Sequence, residues 1–374
     1  MIPVCEPLIG EKELEYAIDC IKAGWISSQG KYIRKFEEKF AAYCGCKYGI
    51  ATTSGTTALH LAVASLGLQR GDEVIVPAFT NAASAFAVVY CGAVPIFIDA
   101  ELETWNIDTS KIEPRITKRT RAIMPVHIYG HPCDMDPIIE LAERYGLSVI
   151  EDAAEAHGAE YRGRKVGGIG DVGCFSFYGN KIITTGEGGM IVTNSAELAE
   201  KARVLKNLAF SPERRFLHYH IGFNYRMTNV QAAVGLAQFE RIDKFIEMRR
   251  HNAHRYHSLL GDIKGIRLPV EKEWARNVYW MYSIVIEDDF GLTRDELMAR
   301  LTEKGIETRT FFIPMDQQPV FREMGINGES CPVAGELSRK GLYLPSGSGL
   351  LPEQIEYICR IIREIKGTEI SRGD

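Results

Sequence analysis

The chain has 374 residues, of which 45% are hydrophobic and 25% charged, a composition typical of an ordinary globular protein. Its formal net charge of −5 argues against a surface built mainly to bind a nucleic-acid backbone. The N-terminus lacks a basic segment followed by an apolar run, and no stretch approaches the roughly 18 consecutive apolar residues of a membrane span. We therefore expect a cytoplasmic protein with one large domain and a smaller one attached.

The nine cysteines and nine histidines give no sign of a metal site. The cysteines are scattered without a CxxC pair, and we interpret them as small buried side chains rather than disulfides or metal ligands. His251, His254 and His257 repeat every third residue, but they follow Arg249 and Arg250, which indicates a solvated helix face. We expect no bound metal.

Short apolar segments alternate with helix-like stretches from about residue 45 to residue 195. Near-continuous apolar strands that alternate with helices predict a mostly parallel sheet covered on both faces. Ligands of such sheets bind at the carboxyl ends of the strands. The predicted strands are YGIATT, EVIVP, VPIFID, RAIMPV, LSVIED, VGCFSFY and GMIVT.

The character of the chain changes in its last third. A long helix is predicted over about 228–260, with Thr228 and Asn229 as its cap. The predicted elements after it are a strand at VYWMYSIVI, a helix at TRDELMARLTEKG, a strand at ETRTFF and a helix at PEQIEYICRIIREI. The sequence thus predicts an α/β protein, with a large domain over residues 1–250 and a smaller α+β domain over 251–374.

Two segments have the composition of anion-binding sites. Ser54, Gly55 and Thr56 lie between a strand and a helix, where free N–H groups and the helix dipole attract a phosphate, although an ordinary N-cap has the same composition. Asn224 and Arg226 precede the long helix, and they fit a phosphate or carboxylate contact as well as simple capping or solvation.

Two ionisable residues follow buried strands. Asp152 ends an apolar strand, so its carboxylate needs a partner, which is either a structural cation or a protonated ring nitrogen of a ligand. Lys181 lies in a turn after another buried strand, five residues beyond Ser176 and just before a glycine-rich segment that lets the backbone approach a ligand. Such a lysine is either solvated or, when desolvated, an imine-forming nucleophile. Together these residues match what a protein supplies to pyridoxal phosphate.

With these residues in this order, the sequence resembles the DegT/DnrJ/EryC1/StrS family of sugar aminotransferases over essentially its whole length. The resemblance implies the fold type I architecture, pyridoxal 5'-phosphate as cofactor, and a homodimer with shared active sites. It also implies transfer of an amino group from L-glutamate to a nucleotide-linked keto-sugar. The matching segments are GWISSQGKYIRKFEEKFA, TTSGTTALHLA, GDEVIVPAFT, MPVHIYG, VIEDAAEAHGA, FSFYGNKIITTGEGGMIVT and NYRMTNVQAAVG.

The resemblance assigns roles to individual positions. Lys181 would bind the cofactor covalently, and Asp152 would contact its ring nitrogen. Glu155 occupies the place of a Gln or His that lies near the cofactor's O3′ and ring face. The phosphate contacts would be Gly55, Thr56, Ser176 and, from the neighbouring subunit, Asn224.

The substrate residues are less well defined by the resemblance. The sugar nucleotide would lie near Trp25, Ser27, Ser28, Arg226 and the 309–318 segment, with Arg309 and Phe311 as contacts. Two positions depart from the family pattern: Asn81 replaces an aromatic residue that stacks on the cofactor ring in many relatives, and Asp316 replaces a common histidine.

Details within the family point to one substrate class. GWISSQGKYI, NVYWMYSI, ETRTFFIPMDQQPVF and GLYLPSGSGL resemble members that aminate GDP-4-keto-6-deoxy-D-mannose at C4, for glycans such as an O-antigen of lipopolysaccharide. The alternative is a dTDP- or UDP-linked keto-sugar aminated at C3 or C4.

The sequence argues against two other classes of protein. A regulator that binds sugar nucleotides without catalysis would have lost Lys181 or Asp152, and a Rossmann dehydrogenase would show GxGxxG after an early strand. The sequence shows neither feature.

Overall fold

The structure is a computed structural model that describes residues 1–211, 213–326 and 329–370, with side chains as far as residue 367. Its strands are β1 Tyr48–Thr52, β2 Glu73–Pro77, β3 Val94–Ile98, β4 Thr120–Ile123, β5 Ser148–Asp152, β6 Glu160–Tyr161, β7 Arg164–Lys165, β8 Val172–Ser176, β9 Gly189–Thr193, β10 Ile266–Arg267, β11 Ala275–Arg276, β12 Tyr282–Ile286, β13 Arg309–Thr310 and β14 Gly341–Leu344. Its α-helices are α1 Glu11–Lys22, α2 Lys31–Tyr43, α3 Gly55–Leu66, α4 Ala82–Tyr90, α5 Met135–Tyr145, α6 Ala196–Lys206, α7 Asn229–Phe239, α8 Ile242–Leu260, α9 Arg294–Glu303, α10 Pro319–Glu323, α11 Pro332–Lys340 and α12 Pro352–Ile370.

The largest sheet in the described residues has seven strands in the order β1-β9-β8-β5-β4-β2-β3. Strand β9 is antiparallel to both of its neighbours, while the other pairings are parallel. Neighbouring residues on one strand enter different cores: Cys174 joins the cluster around α3, and Phe175 joins the cluster that contains Phe36 and Leu236. Helices therefore cover both faces, which explains why the strands are apolar throughout and confirms the predicted fold class.

The register of this sheet brings three strand ends together. Gly189 lies opposite Thr52 on one side and opposite Ser176 on the other. Because β9 runs antiparallel, its first residue lies at the edge where β1 and β8 end. The N-terminus of α3, which follows β1 directly, lies at the same edge. This is the edge where the sequence predicts ligand binding.

A second, antiparallel sheet in the order β10-β12-β14-β13 is built from the C-terminal part of the chain. Its core includes Tyr282 and Leu344 from the strands, Tyr256 from α8, Leu297 from α9 and Ile358 from α12. The predicted boundary between residues 250 and 251 falls within α8. The division into two domains at that point stays a prediction.

Two element predictions were wrong in detail. The single helix expected over 228–260 is two helices, because Arg241 has a non-helical φ of −121° and its guanidinium binds Glu13 and the carbonyl of Leu8 instead. Thr228 does cap α7, since its side chain accepts a hydrogen bond from the N–H of Gln231. The strand expected over 278–286 begins only at Tyr282, because Tyr279 adopts a left-handed φ of 46°.

The described ranges contain neither a membrane-spanning helix nor a cluster of metal ligands. Within them, no helix has both the length and the apolar character needed to cross a bilayer, and no group of three or more metal-ligating side chains is formed. All nine cysteines are free thiols, and seven of them are buried. His257 contacts backbone carbonyls through both ring nitrogens, at 2.9 Å from Ala253 and 2.8 Å from Pro269.

Candidate active site

A cavity of about 330 Å³ lies at the carboxyl edge of the large sheet. The small sheet contributes to its wall from the opposite side. Seven of the residues predicted for the site line this cavity together: Gly55, Thr56, Asp152, Glu155, Ser176, Lys181 and Arg309.

The N-terminus of α3 forms one end of the cavity. The side chain of Ser54 accepts a hydrogen bond from the N–H of Thr57 at 3.1 Å, and the hydroxyl of Thr57 accepts one from the N–H of Ser54 at 2.9 Å. Ser54 is therefore an N-cap, as its composition allowed. The N–H groups of Gly55 and Thr56 belong to the first turn of α3, where the helix provides no acceptor for them. They lie at the positive end of the helix dipole, and this arrangement suits a phosphate.

Gly55 packs closely against the end of β8. A Cβ atom at this position would lie 2.6 Å from the Cβ atom of Ser176 and 3.0 Å from its hydroxyl oxygen. Only a glycine allows the helix N-terminus and the hydroxyl of Ser176 to approach the same point. The two predicted phosphate contacts are thus held together by one close approach.

Asp152 is buried on the floor of the cavity. An isolated bridge to Val126 fixes its backbone. Its carboxylate accepts hydrogen bonds from the hydroxyl of Ser84 at 2.7 Å and from the N–H of Ala154 at 3.1 Å. Burial raises the pKa of this carboxyl, and the two hydrogen bonds and the charge of Lys181 offset the effect only in part. The negative charge of Asp152 is therefore not fully compensated, and a further positively charged partner would stabilise it.

Lys181 and Glu155 form a buried pair beside Asp152. The Nζ atom of Lys181 lies 4.0 Å from Oε1 of Glu155. Burial lowers the pKa of Lys181, opposed by the carboxylates of Glu155 and Asp152. Burial raises the pKa of Glu155, whose carboxylate accepts a hydrogen bond of 2.8 Å from the N–H of Tyr129. A lowered pKa increases the fraction of Lys181 that carries the neutral, nucleophilic amine.

Five predicted residues lie away from this cavity in their own chain: Trp25, Ser27, Ser28, Asn224 and Arg226. Trp25 is 56% exposed, and its carbonyl, like that of Ser27, accepts a hydrogen bond from Asn229. Asn224 is exposed, and the side chain of Arg226 donates to Asn207.

A sixth predicted residue, Phe311, also lies outside the cavity wall. It is buried against the rings of Phe79, Trp105 and Tyr129, whereas its neighbour Phe312 lines the cavity. Both residues follow the end of β13 at Thr310, in a segment without regular secondary structure.

The two family departures have structural explanations. Asn81 is the N-cap of α4, where its side chain accepts a hydrogen bond from the N–H of Ala83 at 3.0 Å. Asp316 accepts one from the N–H of Cys331 at 3.3 Å and is absent from the cavity wall. The aromatic side chains that do line the cavity are Tyr178, Trp280, Phe312 and Tyr343.

Several residues of the described site were not predicted from the sequence. Ser84, whose hydroxyl donates to Asp152, lies in the first turn of α4, and its place in the sequence gives no sign of that contact. Trp280 and Tyr343 gave no sign either, since they come from the distant C-terminal sheet. The expectation that the glycines after Lys181 approach a ligand stays a prediction; at Gly189 a Cβ atom would meet the carbonyl of Ser54 at 2.2 Å.

The residues present fit pyridoxal phosphate. The free N–H groups at α3 suit a phosphate, Asp152 suits a protonated ring nitrogen, and Lys181 suits an aldehyde. The fold and the site thus define an aminotransferase of the type that uses this cofactor.

Comparison with known proteins supports the same class. The DegT/DnrJ/EryC1/StrS aminotransferase family matches residues 7–363. The chain is 46% identical to the GDP-perosamine synthases of Caulobacter vibrioides and Escherichia coli O157:H7, each over 97% of this chain and 98% of the relative. It superimposes on the crystal structure of Streptomyces venezuelae DesV, in complex with a ketimine intermediate, with a TM-score of 0.89 and 37% identity, covering 95% of this chain and 94% of that one.

The chain belongs to the DegT/DnrJ/EryC1/StrS aminotransferase family. The predicted family, enzyme class and cofactor are therefore confirmed: this is a pyridoxal-phosphate-dependent aminotransferase. The roles of the individual site residues stay predictions.

The close contact at Gly55 yields a first prediction. In Gly55→Ala the new methyl group meets Ser176, and such overpacking displaces one of the two phosphate contacts. We expect the affinity for pyridoxal phosphate to fall about tenfold or more, measured by titrating the cofactor-free protein. Gly179→Ala is the matched control, because a Cβ atom there meets nothing within 4 Å. Equal affinities in the two variants would contradict the prediction that the α3 N-terminus and Ser176 bind the cofactor phosphate.

The burial of Asp152 yields a second prediction. Its folded-state pKa lies above the unfolded value, so its contribution to stability falls as pH rises through the folded pKa. Cofactor-free Asp152→Asn should therefore unfold at a higher urea concentration than the wild type near about pH 7. This advantage should vanish below roughly pH 4, where the carboxyl is protonated in the unfolded chain as well. The variant should also bind the cofactor more weakly.

Asp289→Asn provides the control for that measurement. Asp289 is exposed, and its side chain pairs with Lys264 at 3.0 Å. Its replacement should leave the urea midpoint nearly unchanged at both pH values. If Asp152→Asn is no more stable than the wild type near neutral pH, the charge of Asp152 is already compensated in the cofactor-free protein.

Proposed function

We propose that this enzyme transfers the amino group of L-glutamate to the C4 ketone of GDP-4-keto-6-deoxy-D-mannose and forms GDP-perosamine. The observation behind this proposal is the 46% identity, over almost the full length of both chains, to two relatives named GDP-perosamine synthase. The described site holds the groups that the reaction needs. The cytoplasmic location expected from the sequence is part of the same proposal.

The cofactor supplies the electron sink for the reaction when it is bound. The chain supplies the proton carrier, which we assign to the Nζ atom of Lys181. This amine is buried in the cavity wall, and its lowered pKa lets it take a proton from carbon and return one. Asp152 would pair with the protonated ring nitrogen of the cofactor, and the carboxylate of Glu155 lies 4.0 Å from the Nζ atom of Lys181.

The anion contacts divide between two ends of the cavity. Gly55, Thr56 and Ser176 would hold the cofactor phosphate at the sheet edge. Arg309 lies in the wall contributed by the small sheet, with its side chain 59% exposed and paired to Glu307 at 3.1 Å. We assign Arg309 to an anionic group of a substrate, because its guanidinium can exchange this solvent-exposed partner for a carboxylate or phosphate.

The substrate can be tested by spectroscopy of the two half-reactions. The visible band of the bound cofactor should bleach with L-glutamate and return with GDP-4-keto-6-deoxy-D-mannose. Lys181→Arg should show no such cycle, because its side chain cannot form the covalent bond. Recovery with only a dTDP- or UDP-linked keto-sugar would overturn the nucleotide assignment and keep the reaction class. A wild-type protein that forms no band with added cofactor would overturn the role of Lys181.

We also propose that the active unit is a homodimer in which each subunit completes the other's site. Asn224 supports this arrangement, because it is exposed and lies away from the cavity of its own chain. The segment around it presents large exposed apolar side chains, which are typical of an interface. Those residues are Phe216, Tyr219 and Ile221, at 73%, 66% and 89% exposure.

Complementation between inactive variants tests the shared site. Lys181→Ala lacks the amine, and Asn224→Asp places a negative charge where the partner's phosphate would bind. A mixed dimer of the two contains one site with both native residues. Mixing under exchange conditions should therefore restore about a quarter of wild-type activity, given random pairing in a two-fold symmetric dimer. No recovery, with subunit exchange verified by differently tagged chains, would place Asn224 outside the partner's site.

A further inference from the structure

Trp280 contacts Lys181 at both ends of the lysine residue. The centroid of the indole ring lies 3.5 Å from the Nζ atom of Lys181. The indole N–H donates a hydrogen bond of 2.9 Å to the carbonyl of Asn180, the oxygen of the peptide bond that leads into Lys181. One rigid side chain therefore holds the backbone and the amine of the same residue.

The position of Trp280 is itself fixed by buried contacts. Its ring is almost fully buried, at 4% exposure. The guanidinium of Arg249, also buried, donates to the carbonyl of Trp280 at 2.5 Å and to that of Ser346 at 3.0 Å. The preceding residue, Tyr279, has a φ of 46°, which turns the chain sharply before β12 begins. Trp280 is thus anchored to the small sheet while its ring reaches the large one.

We propose that Trp280 is a positioning residue for Lys181, which holds the ε-amino group against its ring face whenever that amine is not bonded to the cofactor. The inference rests on the proposed function of Lys181 as cofactor anchor and proton carrier. A desolvated ammonium over an indole face is attracted by the ring quadrupole. The hydrogen bond to Asn180 keeps that face in register with the lysine.

The ring acts among five charged or titratable neighbours of Lys181. One of them, His157, is buried, and its pKa is lowered by burial and by the charge of Lys181. Glu155 and Asp152 favour the ammonium form, Arg249 disfavours it, and Cys5 adds a weaker favourable contribution when ionised. Burial opposes the ammonium form most strongly. The indole face favours the ammonium form without adding a negative charge, so it moderates the effect of burial while leaving the carboxylates' partners unchanged.

The test uses the rate at which the cofactor-free protein takes up pyridoxal phosphate, measured against pH. Only the neutral amine reacts, so the midpoint of this profile reports the pKa of Lys181 without any turnover. Trp280→Phe keeps a weaker ring face and loses the N–H, while Trp280→Leu loses both. The midpoint should fall in the order Trp, Phe, Leu, by about one pH unit in total. The kcat should fall about tenfold in Trp280→Leu, with the KM for glutamate nearly unchanged.

Trp274→Phe is the matched control, because its ring packs on His131 and Tyr161 and is absent from the cavity wall. It should keep the wild-type midpoint and kcat. Equal midpoints in all variants, or a midpoint that rises in Trp280→Leu, would overturn the proposal and show that the ring only fills space or excludes water. If the wild type and the control take up no cofactor at any pH, the proposed function fails instead.

Discussion

The structure depends on the burial of an amine and two carboxylates in one cavity. Lys181, Glu155 and Asp152 are all removed from water, and removing a charge from water is costly unless a partner compensates it. One amine cannot neutralise two carboxylates, so the set carries a negative excess when all three are ionised. A cofactor with a protonated ring nitrogen supplies the missing charge. The excess negative charge that destabilises these buried residues thus also favours binding of the cofactor.

The sheet makes this concentration of charge possible. Asp152 ends β5, Ser176 ends the neighbouring β8, and Lys181 follows five residues later in the turn. Parallel order places these ends at one edge, and the antiparallel β9 closes that edge with Gly189 between Thr52 and Ser176. Close approaches at glycine positions then bring the α3 N-terminus onto the same point. Chemistry and packing therefore constrain the same few residues.

Local pattern predicted this half of the site from sequence, because each of its residues follows directly on a buried strand. Asp152 and Lys181 lie 29 positions apart, one strand further along the sheet. The other half could not be predicted in that way. Trp280 and Tyr343 reach the cavity from the small sheet, and their placement depends on how that sheet packs, which no local period encodes. Phe311 shows the finer limit, because it and its cavity-lining neighbour Phe312 lie beyond the end of β13, where no strand period decides which ring faces the cavity.

The two halves are joined through the segment that ends in Gly130. The N–H of Tyr129 binds the carboxylate of Glu155, and the carbonyl of Gly130 accepts a hydrogen bond from the N–H of Val278. A Cβ atom at Gly130, whose φ is +104°, would lie 2.8 Å from the backbone nitrogen of Trp280. One short turn thus positions the acidic neighbour and the aromatic neighbour of Lys181 together. The environment of the Lys181 amine therefore depends on how the two sheets pack at this turn.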